Sequence, residues 1–196
     1  MDEVLELCRR VLGDGDEAEQ AATAARAEQT HDRIALLAAA VRACRERTEH
    51  ENGASATEPR ADASGGLANA VAQELASATA RLPERDREAL ALRELLRLSY
   101  EQISSVMGLQ TAAVAPLLAR ARLRLRAERR GSVGASANGT CAEHERALRI
   151  LACRQDSEPL SHEDDEWVLA HLAGCSECAT AHAAMLEASV CYRAWP

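Results

Sequence analysis

The residues best suited to chemistry lie near the carboxyl end, where His171, Cys175 and Cys178 form an H-x-x-x-C-x-x-C pattern. His171 and Cys175 are four positions apart, so they share one face of a helix. Two thiolates and an imidazole suit Zn²⁺, and structural zinc sites are normally closed by a fourth ligand. The pattern therefore predicts a structural zinc site.

The fourth ligand must come from elsewhere in the chain. Cys141, at the predicted start of the preceding helix, is our first choice, followed by His144 one turn later and then Cys153. The alternative is that the cysteines are small core residues, since free cysteine is often buried. The other cysteines are predicted to be packing residues: Cys8, Cys44 and Cys191.

A second distinctive set is the arginine run between Arg120 and Arg130, in which Glu128 is the single acid. Arginine keeps its charge and suits phosphate recognition. Phosphate contacts position a protein on DNA without reading its sequence directly. The run predicts affinity for DNA, and a solvated helix face is the alternative.

Three helices are predicted to position these arginines. The first begins after Pro83 and runs from about Glu84 to Leu98, with leucines at helical spacing. The third begins near Thr111 and reaches about Arg129.

Between them, Ser99 and Gln102 form a capping box that predicts a short helix over Tyr100–Met107. Gly108 stands where a left-handed residue must end that helix. A short helix, a glycine-bearing turn and a longer helix match a helix-turn-helix, whose second helix enters the DNA major groove.

Several features of this segment occur together in one known family: Leu82-Pro83, Arg87-Glu88, Leu98-Ser99-Tyr100-Glu101, Ile103, Gly108, Val114, and Arg120-Ala121-Arg122 with Leu125-Arg126. The segment resembles region four of bacterial extracytoplasmic-function (ECF) sigma factors, which reads the upstream promoter element. The resemblance implies promoter DNA and core RNA polymerase as partners. The DNA contacts that we predict are Ser99, Gln110, Thr111, Arg120, Arg122, Arg124 and Arg126.

The base-reading turn departs from that family. Its residues are Ala113, Val114, Ala115, Pro116 and Leu117, none of which offers a donor for bidentate base contacts. Gln110 and Thr111 are the nearest polar candidates.

Residues 1–47 resemble a shortened region two of the same family, through RRVLGDGDEAEQAATAA and ALLAAAVRACRER. In the family this region binds polymerase and opens promoter DNA. Residues 1–80 contain no Phe, Trp or Tyr to stack on flipped bases. We therefore expect poor DNA melting, and a helical hairpin used for packing is the alternative.

The carboxyl-terminal segment resembles a zinc-binding anti-sigma domain through Leu160-Ser161, Glu166-Trp167 and the His171-Leu172 start of its metal motif. We expect its acidic run, Glu163–Glu166, to face the arginine stripe and to regulate it in cis. An enzyme with catalytic zinc is not expected, because Glu177 is the only obvious acid within the motif.

Composition agrees with packed helices, since aromatic residues make up 2% of the chain and Phe is absent. The net charge of −8 is uneven, because residues 81–130 carry 11 Arg against 6 acids while both ends are acidic. With no long apolar run and no signal-peptide pattern, we expect a cytoplasmic protein with no membrane contact.

These observations predict an all-α protein with three parts and two linkers. The ranges are 1–47 for the region-two-like helices, 48–66 for a linker, 67–130 for the helix-turn-helix domain, 131–140 for a second linker and 141–196 for the zinc-binding module. The predicted function is that of an ECF sigma factor regulated by its zinc-binding tail. The alternative is a non-melting decoy or adaptor that binds polymerase or a partner sigma factor.

Overall fold

The computed structural model describes residues 2–51, 67–130 and 140–195, and every regular element within these ranges is helical. The protein is therefore all-α, as predicted. Helix α3 continues to Glu51, four residues into the first predicted linker, whereas 52–66 and 131–139 lie outside the described residues.

Three amino-terminal helices form a compact unit: α1 (Glu3–Leu12), α2 (Asp16–Ala27) and α3 (Arg33–Glu51). The Asp2 carboxylate caps α1 by accepting from the backbone N–H groups of Val4 and Leu5. Gly13 ends α1 at φ 96°, a left-handed conformation that glycine adopts without strain. Alanine side chains let these helices pack closely, since Ala18, Ala21, Ala22 and Ala25 are all buried.

The central part contains α4 (Leu67–Ala80), α5 (Glu84–Leu90) and a π-helical continuation over Ala91–Leu95. The helix predicted to reach Leu98 therefore ends earlier. Arg97 adopts a left-handed φ of 57°, and the Leu98 N–H donates to the Leu92 carbonyl at 3.1 Å. Both features turn the chain away from the helix axis before Ser99.

The helix-turn-helix follows, with α6 at Tyr100–Met107, a 3₁₀ turn at Thr111–Ala113 and α7 at Val114–Arg130. Ser99 and Gln102 form the expected capping box, and Gly108 is left-handed at φ 66°. Pro116 is the third residue of α7, where its missing N–H costs no helical hydrogen bond.

The carboxyl-terminal part consists of α8 (His144–Gln155), α9 (His162–Gly174) and α10 (Ser176–Arg193). Helices α8 and α10 both pack against α7. Apolar residues of all three predicted parts join one cluster of buried side chains, including Leu37, Leu118, Leu151 and Met185. The metal-motif helices thus share their core with the helix-turn-helix.

Within the described ranges, no single helix is both long and apolar enough to cross a membrane. The pair Tyr100–Met107 and Thr111–Arg130 passes that test only when taken together, and the two are bent by 102°. This pair is the helix-turn-helix.

Candidate metal centre and nucleic-acid interface

Four side chains converge where α8, α9 and α10 meet. The ligand atoms of Cys141, His171, Cys175 and Cys178 all lie within 4.8 Å of one another. His171 Nε2 is 3.6 Å from Cys141 Sγ and 3.3 Å from Cys178 Sγ. Ligand atoms around a tetrahedral zinc lie roughly 3.5 Å apart, given Zn–S and Zn–N bonds of about 2.3 and 2.0 Å. The donor set and the measured spacings both fit such an ion.

Helix ends present three of these ligands. His171 lies in the last turn of α9, which ends at Gly174. Cys175 has extended backbone (φ −123°, ψ 99°) and connects α9 to α10, so Cys178 falls in the first turn of α10. The chain reverses within the C-x-x-C pattern and aims both thiols inward.

Cys141 comes from a distant part of the chain and is held in place by Glu177. The Glu177 carboxylate accepts from the Thr140 N–H at 2.7 Å, the Thr140 hydroxyl at 2.8 Å and the Cys141 N–H at 3.1 Å. These bonds lower the pKa of Glu177, with the Thr140 hydroxyl contributing most. The one acid inside the motif therefore anchors the upstream ligand.

The other two candidates for fourth ligand lie outside the group. His144 is 4% exposed and its Nδ1 lies 3.6 Å from Cys178 Sγ, whereas its Nε2 is buried without a hydrogen-bond partner. A His144 tautomer protonated at Nδ1 would donate to the Cys178 sulfur without being one of the four ligands. Cys153 is half-buried on α8, and burial raises the pKa of its thiol.

Electrostatics differ between the two thiols of the C-x-x-C pair. Burial raises the pKa of Cys178 to about 12, whereas hydrogen bonds from the Cys178 backbone and thiol lower that of Cys175. Metal coordination deprotonates a thiol outright, so a bound ion would remove the Cys178 proton.

An aromatic stack covers one side of the group. The Trp167 ring lies parallel to the His171 ring, with 4.9 Å between centroids and 12° between planes. The Arg146 guanidinium sits 4.1 Å from the centroid of Trp167. Trp167 thus fixes the orientation of His171 and links it to an arginine of α8.

The residues predicted to contact DNA have different surroundings. Gln110 and Thr111 are exposed at the start of the recognition helix. Ser99 is half-buried and accepts the Gln102 N–H at 3.3 Å as part of the helix cap. Arg120 is half-buried on α7 and makes no hydrogen bond or ion pair with any described residue. A DNA contact at each of these residues stays a prediction.

Arg122 requires a correction, because its side chain is fully buried in this structure. Its Nη2 donates to Glu94 Oε1 at 2.6 Å and to Asp156 Oδ1 at 2.7 Å. No phosphate reaches Arg122 while α8 lies against α7, since Asp156 closes this side. The alternating Arg pattern of 120–126 misled sequence reasoning because it does not reveal which face of α7 is covered.

Further acids surround the same cluster. Asp156 Oδ2 accepts from the Tyr100 hydroxyl at 2.7 Å, and Glu94 Oε2 accepts from Arg193 at 2.6 Å. Burial alone would raise the pKa of Glu94 and Asp156, but the charge of Arg122 and the surrounding hydrogen bonds hold both below their ordinary values. Both carboxylates therefore stay ionised inside the protein.

Carboxylates also engage other members of the arginine run. Arg124 donates to Asp86 at 2.7 Å while remaining 44% exposed. Glu187 of α10 lies 3.3 Å from Arg126 and 2.7 Å from Arg130. Helix α10 thus supplies an acidic partner for Arg126 and Arg130.

The run Glu163–Glu166 does not supply that partner. Its Asp164 pairs with Arg146 and Arg149 of α8, and Asp165 pairs with Arg154 of the same helix. Sequence reasoning missed the acids that do meet the helix-turn-helix: Asp156, Glu158 and Glu187. Their signal was weak, because each is a single acid rather than part of a run.

Comparison with known families bears on the central segment. Residues 72–125 match the family described as Sigma-70, region 4. The match spans α5, the capping box, the left-handed glycine and most of α7. It supports a sigma-factor-like, DNA-binding role in transcription initiation, and this family is a non-enzymatic transcription-factor domain. It covers just over a quarter of the chain. Neither the curated proteins nor the solved structures contain a match.

Proposed function

We propose that this protein is a sigma factor of the ECF type that acts with core RNA polymerase at promoters. The observation that carries the proposal is the Sigma-70 region 4 match over residues 72–125, which coincides with a capped helix-turn-helix. Among the predicted contacts, Gln110, Thr111 and Arg124 are exposed, and Arg120 is half-buried. In this proposal, helices α1 to α3 correspond to region two of the sigma factor.

The proposal includes a structural Zn²⁺ held by Cys141, His171, Cys175 and Cys178. The geometric fit of the donor atoms supports it. The ion would supply folding free energy by tying the start of α8 to the α9–α10 turn. His144 and Trp167 orient two of the ligands from outside.

We further propose that the zinc module regulates the helix-turn-helix in cis. Support comes from the contacts of Glu187 with Arg126 and Arg130, which occupy cations that DNA phosphates would otherwise meet, and from Asp156, which covers the buried Arg122. Oxidation of Cys175 and Cys178 to a disulfide by a peroxide would expel zinc and release the block.

A second candidate function is a decoy or adaptor that binds polymerase or a partner sigma factor without opening DNA. The absence of Phe, Trp and Tyr from residues 1–80 favours it, because stacking on aromatic faces helps to hold unpaired bases. The lack of base-reading donors in Ala113–Leu117 points the same way.

Run-off transcription with core polymerase separates these functions. The zinc-loaded chain and a peroxide-treated chain are each added to core enzyme and a library of promoter templates. Transcripts that appear or increase after oxidation establish a regulated sigma factor. Polymerase binding without any transcript, under both conditions, rules out the sigma-factor function and establishes the decoy.

A further inference from the structure

A groove of about 240 Å³ lies between α7 and α8. It is lined by Pro116 and Arg120 from α7, and by Glu145, Arg146, Leu148 and Arg149 from α8. At about 30 Å³ per water molecule, this volume accommodates a phosphate group with part of its hydration shell. The groove exists only while the two helices are packed together.

The charges around the groove are unbalanced in favour of cations. Arg146 and Arg149 share a single carboxylate, Asp164, at 3.2 and 3.4 Å. Arg120 has no hydrogen bond or ion pair with any described residue. With Glu145 included, three guanidinium groups face two carboxylates, so a net positive charge remains.

The arginines are also held in place and remain accessible. Arg146 lies over the Trp167 ring, and Trp167 stacks on His171 of the candidate metal centre. The Arg146 and Arg149 side chains remain 39% and 41% exposed, so their donors reach solvent. Preorganised guanidinium groups around an open volume favour bidentate binding of phosphate oxygens.

We propose that this groove binds a phosphate group, either from a free phosphate-bearing molecule or from the DNA backbone. Arg120, Arg146 and Arg149 donate to its oxygens. Because α7 and α8 both contribute, an occupant stabilises the packed arrangement of the module on the helix-turn-helix. The consequence for DNA binding rests on the proposed function, whereas the phosphate site itself does not.

The test is thermal unfolding of the zinc-loaded full chain, with free metal removed, during titration with inorganic phosphate against chloride at constant ionic strength. The wild type should show a saturable rise in Tm. Arg120→Ala and Arg149→Ala should weaken phosphate binding by about tenfold or more, because each removes charge-assisted hydrogen bonds. Arg85→Ala, an exposed arginine of α5 outside the groove, should behave like the wild type.

No saturable rise in the wild type, or the same rise in Arg120→Ala and Arg149→Ala, would overturn the proposal. Duplex DNA binding by the full chain then distinguishes the two sources of phosphate. If Arg149→Ala loses DNA affinity relative to Arg85→Ala, the backbone supplies the phosphate. Equal DNA affinity, with phosphate binding lost, assigns the groove to a free phosphate-bearing molecule.

Discussion

Arg122 is a charged residue with no exposed surface, and its partners come from two parts of the chain. Glu94 belongs to the helix-turn-helix domain and Asp156 ends the first helix of the metal module. The two carboxylates raise the pKa of Arg122, although burial alone would lower it. A buried charge is tolerated only when paired in this way, so Arg122 couples the packing of the two parts.

Replacing Arg122 should be strongly destabilising. Arg122→Met leaves Glu94 and Asp156 buried with fewer partners, and we expect a loss of about 3 kcal/mol in unfolding free energy. Arg42→Met is the control, because both members of its ion pair with Glu28 are about half-exposed, and this pair should contribute no more than about 1 kcal/mol. Urea unfolding of the zinc-loaded chain measures both. Equal losses would show that the buried cluster has no special role.

Loss of a single ligand should empty the candidate metal centre. Cys178→Ser should abolish binding of about one zinc ion per chain, because it removes one of four thiol and imidazole ligands. Cys153→Ser, in the same module but outside the group, should retain the ion. Atomic absorption on the purified, reduced proteins gives the content. Zinc retained in Cys178→Ser, or lost in Cys153→Ser, would contradict the assignment.

Among the elements, the helix-turn-helix follows local rules that its sequence displays. The capping box at Ser99 and the left-handed Gly108 involve residues at most a few positions apart, so the bounds of α6 were predictable to the residue. The end of α5 was not, because Arg97 is a non-glycine residue with φ 57° and its sequence carries no turn signal. A capped helix start can therefore be predicted from nearby residues, whereas an irregular helix end such as the one at Arg97 cannot.

The cap at Ser99 should contribute measurably to stability. Ser99→Ala removes the acceptor of the Gln102 N–H, at a cost of about 1 kcal/mol. Ser105→Ala serves as control, because that hydroxyl is exposed and donates only to the Glu101 carbonyl of its own helix. Chemical denaturation of both variants, followed by circular dichroism, compares them. If the two variants lose the same unfolding free energy, the cap at Ser99 has no special role in stability.

For the molecule as a whole, the three predicted parts are in contact. The Arg10 guanidinium of α1 lies 3.9 Å from the centroid of the Trp195 ring and donates to the Trp195 carbonyl at 3.1 Å. Arg45 of α3 donates to Glu88 at 2.7 Å through two nitrogens. Each contact joins residues dozens of positions apart, and sequence periodicity cannot report which faces meet.

Because sequence periodicity does not show which helix faces meet, only part of the candidate sites could be predicted. The metal ligands could be predicted because three of them lie within eight residues at fixed spacing. The contacts between the module and α7 could not, because Asp156 and Glu187 become partners of the arginines only through tertiary packing. A basic centre between acidic ends fits contact with phosphate as well as contact with acidic neighbours in the same chain, and it identifies no partner residue.

Acid should weaken the whole assembly through these carboxylates. Since the folded pKa values of Glu94 and Asp156 lie below ordinary values, their stabilisation is present above about pH 4 and is lost as the pH falls through the folded values. Unfolding free energies measured from pH 7 to pH 3 should fall less for Asp156→Asn than for the wild type. Any bound metal ion would be released by acid from both chains, so the difference between them isolates Asp156. Parallel curves would show that Asp156 does not contribute to the loss of stability in acid.

Regulation in cis requires the zinc module to withhold arginines of the helix-turn-helix from DNA. The most direct measurement is the salt dependence of duplex DNA binding by the zinc-loaded full chain. Glu158→Arg/Glu187→Arg repels Arg93, Arg126 and Arg130 and should release the module. Glu163→Arg/Glu166→Arg makes the same charge change at exposed residues of α9, a helix that packs against α8 and α10.

We expect tighter binding and a steeper salt slope for the first variant than for the second. Each newly available phosphate contact adds about 0.9 to the slope of log K against log salt. A gain of about two contacts would match the release of Arg126 and Arg130. Identical affinities and slopes in the two variants would contradict regulation in cis.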